Sequence, residues 1–420
     1  MPVDDPTVSL TPLLRSSMAS WEDLRAQYGG LLKLVDTILG VVPNCDPYLE
    51  IWPPAFRTYN VMVPNLLNLP VPVLGVGGPP PATVGLAMYV ASRTAECPYC
   101  SAHSCSFAMR RGASPETVAA ALLPGSGPLG RGELATIAVA RSIAQVPCEL
   151  TVSERDDLVD VFGERKAEWI ALGAVMMGFL NKFMDALGVE LEQSVVSEVA
   201  ATIGPEWSPG KAGEGLDPTA PARANPPVDG IRTKLRLVPL LPAAIRYDAR
   251  AQKGVPSRWP AVGQYLRRTT GHDFPIIERL HAGRVRRTIA SMIATNLDAH
   301  TSTVGLEVKA LVGTVYATIV QDEALARDVR AVARHLRVPE QRLADAISFA
   351  RGTDDAIAGT PTSVRVALGL ARDASPSPAR ITAGTREACR NIEPAAIVEI
   401  ITWLAVLQML HRLNCYVSAT

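Results

Sequence analysis

Three observations predict an all-α fold of two related helical halves. Most long segments place apolar residues at helical spacing, strand alternation is scarce, and several short patterns recur in the same order at a separation of roughly half the chain. The helical signal is plain in Glu164 to Leu187, where Trp169, Leu172, Met176, Leu180, Phe183 and Leu187 line one stripe. Pro and Gly punctuate the chain rather than turning hairpins, as in Gly75–Pro81, Leu123-Pro124-Gly125 and Gly127-Pro128. The densest breaker run, Gly204 to Gly230, holds six prolines and reads as a linker. It separates a first helical domain, 1–203, from a second, 231–420.

The recurrences are short. Thr83-Val84-Gly85-Leu86 returns as Thr303-Val304-Gly305-Leu306, a shift of 220. Arg111 to Glu116 resembles the stretch from Leu336 through Pro339-Glu340, a shift of 224. Ala140-Arg141 with Thr151 returns as Ala371-Arg372 with Thr382, and Leu180-Asn181-Lys182-Phe183 parallels Leu410-His411-Arg412-Leu413, at shifts of 231 and 230. The shared order with a slow drift is what a duplication with small insertions leaves.

Composition narrows the function. Lys+Arg and Asp+Glu number 41 each, so no net field favours nucleic acid or an anionic membrane. The apolar stretch Val61 to Val76 is broken by Pro64, Pro70, Pro72 and Gly75, and no run reaches the ~18 uninterrupted apolar residues of a membrane span. The N-terminus lacks a signal-peptide pattern, and the expected location is cytoplasmic. Seven cysteines, an odd and sparse set, do not make a secreted disulfide scaffold.

Three of those cysteines, Cys97, Cys100 and Cys105, fall within nine residues, beside His103. In Cys97-Pro98-Tyr99-Cys100-Ser101-Ala102-His103 the first cysteine suits a helix cap and the second follows one turn later, close enough for a disulfide. Pro98 suits a first turn, where no intrahelical N–H bond is needed. Unpaired N–H groups and the helix dipole would lower a thiol there from about 8.5 toward neutrality. His103, three residues after Cys100, shares its face and can carry a proton. The unit therefore supplies an attacking thiol, a resolving thiol and a proton carrier. A zinc site from Cys97, Cys100, His103 and Cys105 is disfavoured, because four ligands within nine helical residues do not readily converge on a tetrahedral centre. Haem attachment would need His at Ser101. Inert buried cysteines are the remaining alternative. Among the scattered histidines no metal spacing occurs, Gly75-Val76-Gly77-Gly78 leads into prolines rather than a phosphate-binding helix, and Arg284, Arg286 and Arg287 read as a solvated face. Cys45, Cys148, Cys389 and Cys415 have no motif around them.

The run Met88 to His103, with Gly112-Ala113-Ser114-Pro115-Glu116 and Phe179 to Gly188 downstream, resembles the alkylhydroperoxidase D-like / carboxymuconolactone decarboxylase family. The resemblance covers roughly residues 50–195 and, faintly, 260–418. It implies a small-helical-domain fold and a homo-oligomer. It also implies a thiol peroxidase in which Cys100 attacks a small-molecule hydroperoxide, Cys97 resolves the sulfenic acid as a Cys97–Cys100 disulfide, and a dithiol reductant closes the cycle. No cofactor or metal is implied. Tyr99 is a possible substrate contact. Two departures stand out. The family's His comes four residues after the second cysteine, where this chain has Ser104, and its Glu about a dozen residues before the first cysteine has no counterpart around Thr83–Ala87. Glu96, adjacent to Cys97, and Glu133, in the next helical stretch, are the carboxylates at hand, Glu96 being too near to fill that place. Non-redox decarboxylation or proton transfer, and a redox-sensing or ligand-binding assembly, are the alternatives these departures leave. Carrying the shift of 224 across the motif places Gln321, Ala324 and Arg327 where Cys97, Cys100 and His103 stand, so the second half lacks it.

Overall fold

In the computed structural model, residues 7–69, 71, 77–122, 129–204, 206–217 and 219–419 are described. The breaker runs at Leu123-Pro124-Gly125 and Gly127-Pro128, the Gly75-Val76 pair, Pro205 and Pro218 lie outside them. The described residues form helices and no strand.

The first half runs α1 (Thr11–Leu14), α2 (Trp21–Leu39), α3 (Asp46–Leu49), α4 (Pro53–Leu66), α5 (Pro81–Thr94), α6 (Pro98–Arg110), α7 (Pro115–Ala120), α8 (Arg131–Ala144), α9 (Val152–Phe162), α10 (Glu164–Leu187) and α11 (Gln193–Val199). The second runs α12 (Ile231–Leu237), α13 (Leu241–Ala251), α14 (Ala261–Thr270), α15 (Gly283–Asn296), α16 (Leu306–Val320), α17 (Glu323–His335), α18 (Glu340–Ala350), α19 (Thr362–Ala374), α20 (Ala383–Ala388) and α21 (Pro394–Ser418). Local chemistry sets many starts. Proline opens α4, α5, α6, α7 and α21. Ser20, Ser114 and Asp322 accept from the N–H three residues on, and Thr151 and Glu154 form a reciprocal capping box.

The order α4–α10 recurs as α15–α21, with similar lengths in every pair but α7/α18 and α9/α20. The turn after α8 is closed by the Glu149 N–H donating to the Ser142 carbonyl. The turn after α19 repeats it, Arg380 N–H to Asp373 carbonyl, 231 residues on. At the α5–α6 junction Glu96 takes a left-handed φ of 51° and Cys97 caps the helix. At the α16–α17 junction Gln321 takes φ 57° and Asp322 caps. That register is a shift of 225, so Asp322, Leu325 and Asp328 stand at the places of Cys97, Cys100 and His103, one residue from the expected Gln321, Ala324 and Arg327. The Thr-Val-Gly-Leu recurrence does not survive: Gly85 lies inside α5, whereas Gly305, with φ 83°, precedes α16.

The halves share one contiguous apolar core. The long helices α10 and α21 pack along each other at its centre, and α4 packs on α15. Gly178 permits the close approach, because a Cβ there would stand 3.0 Å from the Gln408 carbonyl oxygen and 3.1 Å from the Met409 Cα. Both α10 and α21 are long and apolar enough to cross a membrane, contrary to the expectation that no segment is. However, 94% and 89% of their most apolar windows are buried within the protein, as in core helices. Hence α10 is buried on most of its circumference: Ala174, Val175 and Phe179 join the predicted stripe, of which Trp169 and Leu180 stay partly exposed. The boundary drawn at residue 230 does not divide the packing, since α12 and α13 lie on α2. Nor is the Arg284–Arg287 cluster a solvated face. Arg284 bonds Asn65, Asn68 and the Leu69 carbonyl, Arg286 the Leu280 carbonyl and Arg287 the Gln252 carbonyl.

Candidate functional site

The cap residue Cys97 accepts the Cys100 N–H on its sulfur at 3.3 Å, and the Cys100 thiol hydrogen-bonds the same sulfur. Both are free thiols, and both are buried although Cys97 caps the helix. Burial also overrides the helix terminus at Cys100. It pushes that thiol well above its ordinary range, with the Cys97 sulfur adding to the effect. At rest Cys100 is therefore a neutral thiol.

His103 is held by a carboxylate that sequence reasoning did not identify. The αL residue Gly188 ends α10, and the Leu191 N–H donates to the Ala212 carbonyl at 2.8 Å while the Asn44 side chain bonds the Glu190 carbonyl at 3.0 Å. These bonds fix the turn that presents Glu192, the residue capping α11. Its Oε2 lies 2.7 Å from His103 Nε2, and its Oε1 accepts the Tyr99 hydroxyl at 3.0 Å and the Asn44 N–H. Burial pushes the Glu192 carboxyl up, but the charge and hydrogen bond of His103, with the N–H of Asn44, outweigh it and hold the group below its ordinary value. Tyr99 stacks on the His103 ring with centroids 4.5 Å apart. His103 is therefore clamped in place and orientation.

His103 faces the loop after α10, where Glu192 stands, and Ser104 donates to the Cys100 carbonyl at 2.5 Å. Glu96 is exposed at the α5–α6 turn and Glu133 sits in the first turn of α8; neither lines the cavity at Cys100. The signal for Glu192 was faint: an acidic residue shortly after a Gly-capped helix, nearly ninety positions from its partner.

Cys100, His103, Tyr99 and Cys45 face a cavity of about 60 Å³. Met88, Met176, Met177, Met184, Phe107 and Val63 supply much of its apolar wall. Methionine walls adapt to the shape of an occupant. Cys45, without a motif in the sequence, thus belongs to the cavity, where burial pushes its thiol well up and the Tyr59 hydroxyl hydrogen-bonds it. Behind it Asp46 is fully buried, with Oδ1 lacking a hydrogen-bond partner among the described residues. Burial first, then Glu192 and Glu50, push its carboxyl up to about 8. On the other side of the motif Lys182, from α10, donates to the carbonyls of Ala374 and Ser375 at 2.7 and 2.8 Å, and to that of Pro376. Burial pushes its ammonium down to about 7, and Cys97 is among the charges that act against this. Cys105 is buried in the core. No grouping of His, Cys, Asp and Glu able to hold a metal occurs among the described residues.

No family model and no curated protein matches the chain. Among solved structures, the crystal structure of the debrominase Bmp8 in its apo form is similar over 44% of this chain and 94% of its own, at 19% identity and a TM-score of 0.37.

Proposed function

We propose that the protein is a thiol-dependent oxidoreductase of the alkylhydroperoxidase D-like type that reduces a small apolar hydroperoxide. The observation that carries this reading is that His103, on the same cavity as Cys100, is held by the Glu192 carboxylate behind it. With Nε2 hydrogen-bonded to a carboxylate, the imidazole keeps its proton there and leaves Nδ1 as the acceptor. His103 then takes the Cys100 proton as the sulfur attacks the terminal peroxide oxygen. The O–O bond breaks, Cys100 becomes a sulfenic acid, and the proton passes to the departing alkoxide as alcohol. Cys97 next attacks the Cys100 sulfur, its own proton leaving with the hydroxide as water, and the disulfide forms. A dithiol reductant returns both thiols by exchange. By the same reading the protein works in the cytoplasm and assembles from copies of itself.

The neutral, buried state of Cys100 favours a second reading, in which His103 and Glu192 alone move a proton on a bound substrate. Steady-state consumption of cumene hydroperoxide with a dithiol separates the two. Cys100→Ser and Cys97→Ser are expected to abolish turnover and His103→Ala to reduce it at least a hundredfold. Parent-level turnover in both cysteine variants would remove the redox reading.

A further inference from the structure

The second half has no Cys-x-x-Cys, yet the equivalent place in its fold is not chemically empty. The register Lys182–Arg412 carries Asp185 onto Cys415, and the register of the turns after α8 and α19 carries Cys148 onto Ala379. In the first arrangement the Ala379 N–H donates to Asp185 Oδ2 at 2.7 Å, so the C-terminal part of α10 lies against the turn after α19. The mirrored contact brings α21 against the turn after α8, and there the Cys415 thiol hydrogen-bonds the Cys148 sulfur. Both cysteines are partly exposed, unlike Cys97 and Cys100.

The surroundings are built to hold a sulfur anion. Arg412 is wholly buried and donates Nη1 to the Ala174 carbonyl at 3.0 Å. Its Nε and Nη2 find no acceptor among the described residues, and the groups whose charge it feels are Tyr316, Cys148, Cys100 and Cys415, of which burial keeps Tyr316 and Cys100 neutral. A buried guanidinium with two unfilled donors is costly unless an anion approaches it. The carboxylate close by does not serve, because Asp322 is already bonded to His411 Nδ1 at 2.9 Å, to Asn414 Nδ2 at 3.2 Å and to the Leu325 N–H at 2.9 Å. A thiolate at Cys148, receiving the Cys415 S–H, is the anion this corner can generate. The direction of the Cys148 shift agrees: the Cys415 hydrogen bond lowers it against burial.

We propose that Cys148 and Cys415 form a second dithiol site, assembled from both halves of the chain and oxidised by small disulfides of the glutathione type. Cys148 attacks one sulfur of the disulfide, whose S–S bond breaks to release one thiol, its proton drawn from solvent. Cys415 loses its proton to solvent and attacks the Cys148 sulfur of the mixed disulfide, releasing the second thiol. The two electrons of the new Cys148–Cys415 bond have gone to the small disulfide, now two thiols. The closed bond ties the turn after α8 to α21. It uses neither Cys97 nor Cys100, although Arg412 also lies within reach of Cys100.

The test uses the parent chain. The folded protein is treated with excess oxidised glutathione near neutral pH, alkylated, digested with trypsin without reduction and weighed. The Cys97–Cys100 pair lies within one peptide, so it cannot be confused with a link between the Cys148 and Cys415 peptides. The expected result is that cross-linked pair, two hydrogens lighter than the separate peptides, in most chains and lost on reduction. Full alkylation of both cysteines, stable glutathione adducts without the cross-link, or a cross-link formed only in denaturant would each overturn the proposal.

Discussion

Replacing Glu192 by Gln tests the proton path while changing few contacts. The amide is the same size, and its oxygen can still accept the Tyr99 hydroxyl and the Asn44 N–H. Its NH₂ must then donate to His103 Nε2, which moves the ring proton to Nδ1, the atom that should receive the thiol proton. The lost interaction is a charge-assisted bond of 2.7 Å between partly buried groups, the class worth about 1.5–3 kcal/mol. If it acts only as His103 becomes positive, that energy converts to a loss of roughly 10- to 150-fold in kcat. The KM for hydroperoxide should hardly move, because the apolar wall that binds it is unchanged. Initial rates of hydroperoxide loss, with a saturating dithiol and across pH, provide the measurement. A variant within twofold of the parent in kcat at every pH would refute the assigned role of the carboxylate.

Asp46→Asn addresses the buried acid behind the cavity. The folded protein keeps the Asp46 proton up to about 8, whereas the unfolded chain loses it near 3.8, so the native state binds more protons between those values. Stability from this group is greatest below the lower value and falls as pH rises toward the upper one, by up to about 6 kcal/mol. The Asn variant should gain on the parent over that window in urea unfolding; a constant difference across pH would contradict the burial argument. Lys182→Met leaves three carbonyls after α19 without their donor and should cost about 2–4 kcal/mol in the same assay. Gly85→Ala pushes a methyl to within 2.7 Å of the Ala108 Cα, separating α5 from α6, and should cost about 1–3 kcal/mol with some loss of turnover. Glu133→Gln, in the first turn of α8, should leave hydroperoxide turnover at the parent level.

What could be read before folding followed the local chemistry. The stripe from Trp169 to Leu187 and the Cys97 cap with Pro98 are decided by residues within a turn or two of one another, and α10 and α6 run where that chemistry puts them. The charge states were less legible, because burial is a property of the whole core. Cys97 and Cys100 sit under α10 and α5, not at a wet helix end, so desolvation reverses the expected acidity of Cys100. Glu192, Cys45 and Lys182 reach the site from elements far along the chain and carry no spacing that relates them to the motif. His103 was visible in sequence, but its pairing with Glu192 was visible only once α10 and its Gly188 turn were in place. Short sequence recurrences misplaced the second-half register by one residue, and the left-handed Glu96 and Gln321 corrected it.

The central claim is that Cys100 and Cys97 together take two electrons to one hydroperoxide. A single-turnover experiment measures it directly: fully reduced protein is mixed with one equivalent of cumene hydroperoxide without reductant, then quenched and weighed. The account predicts one equivalent of the alcohol and a disulfide within the peptide bearing Cys97 and Cys100. Unconsumed hydroperoxide with both thiols still free to alkylate would contradict it.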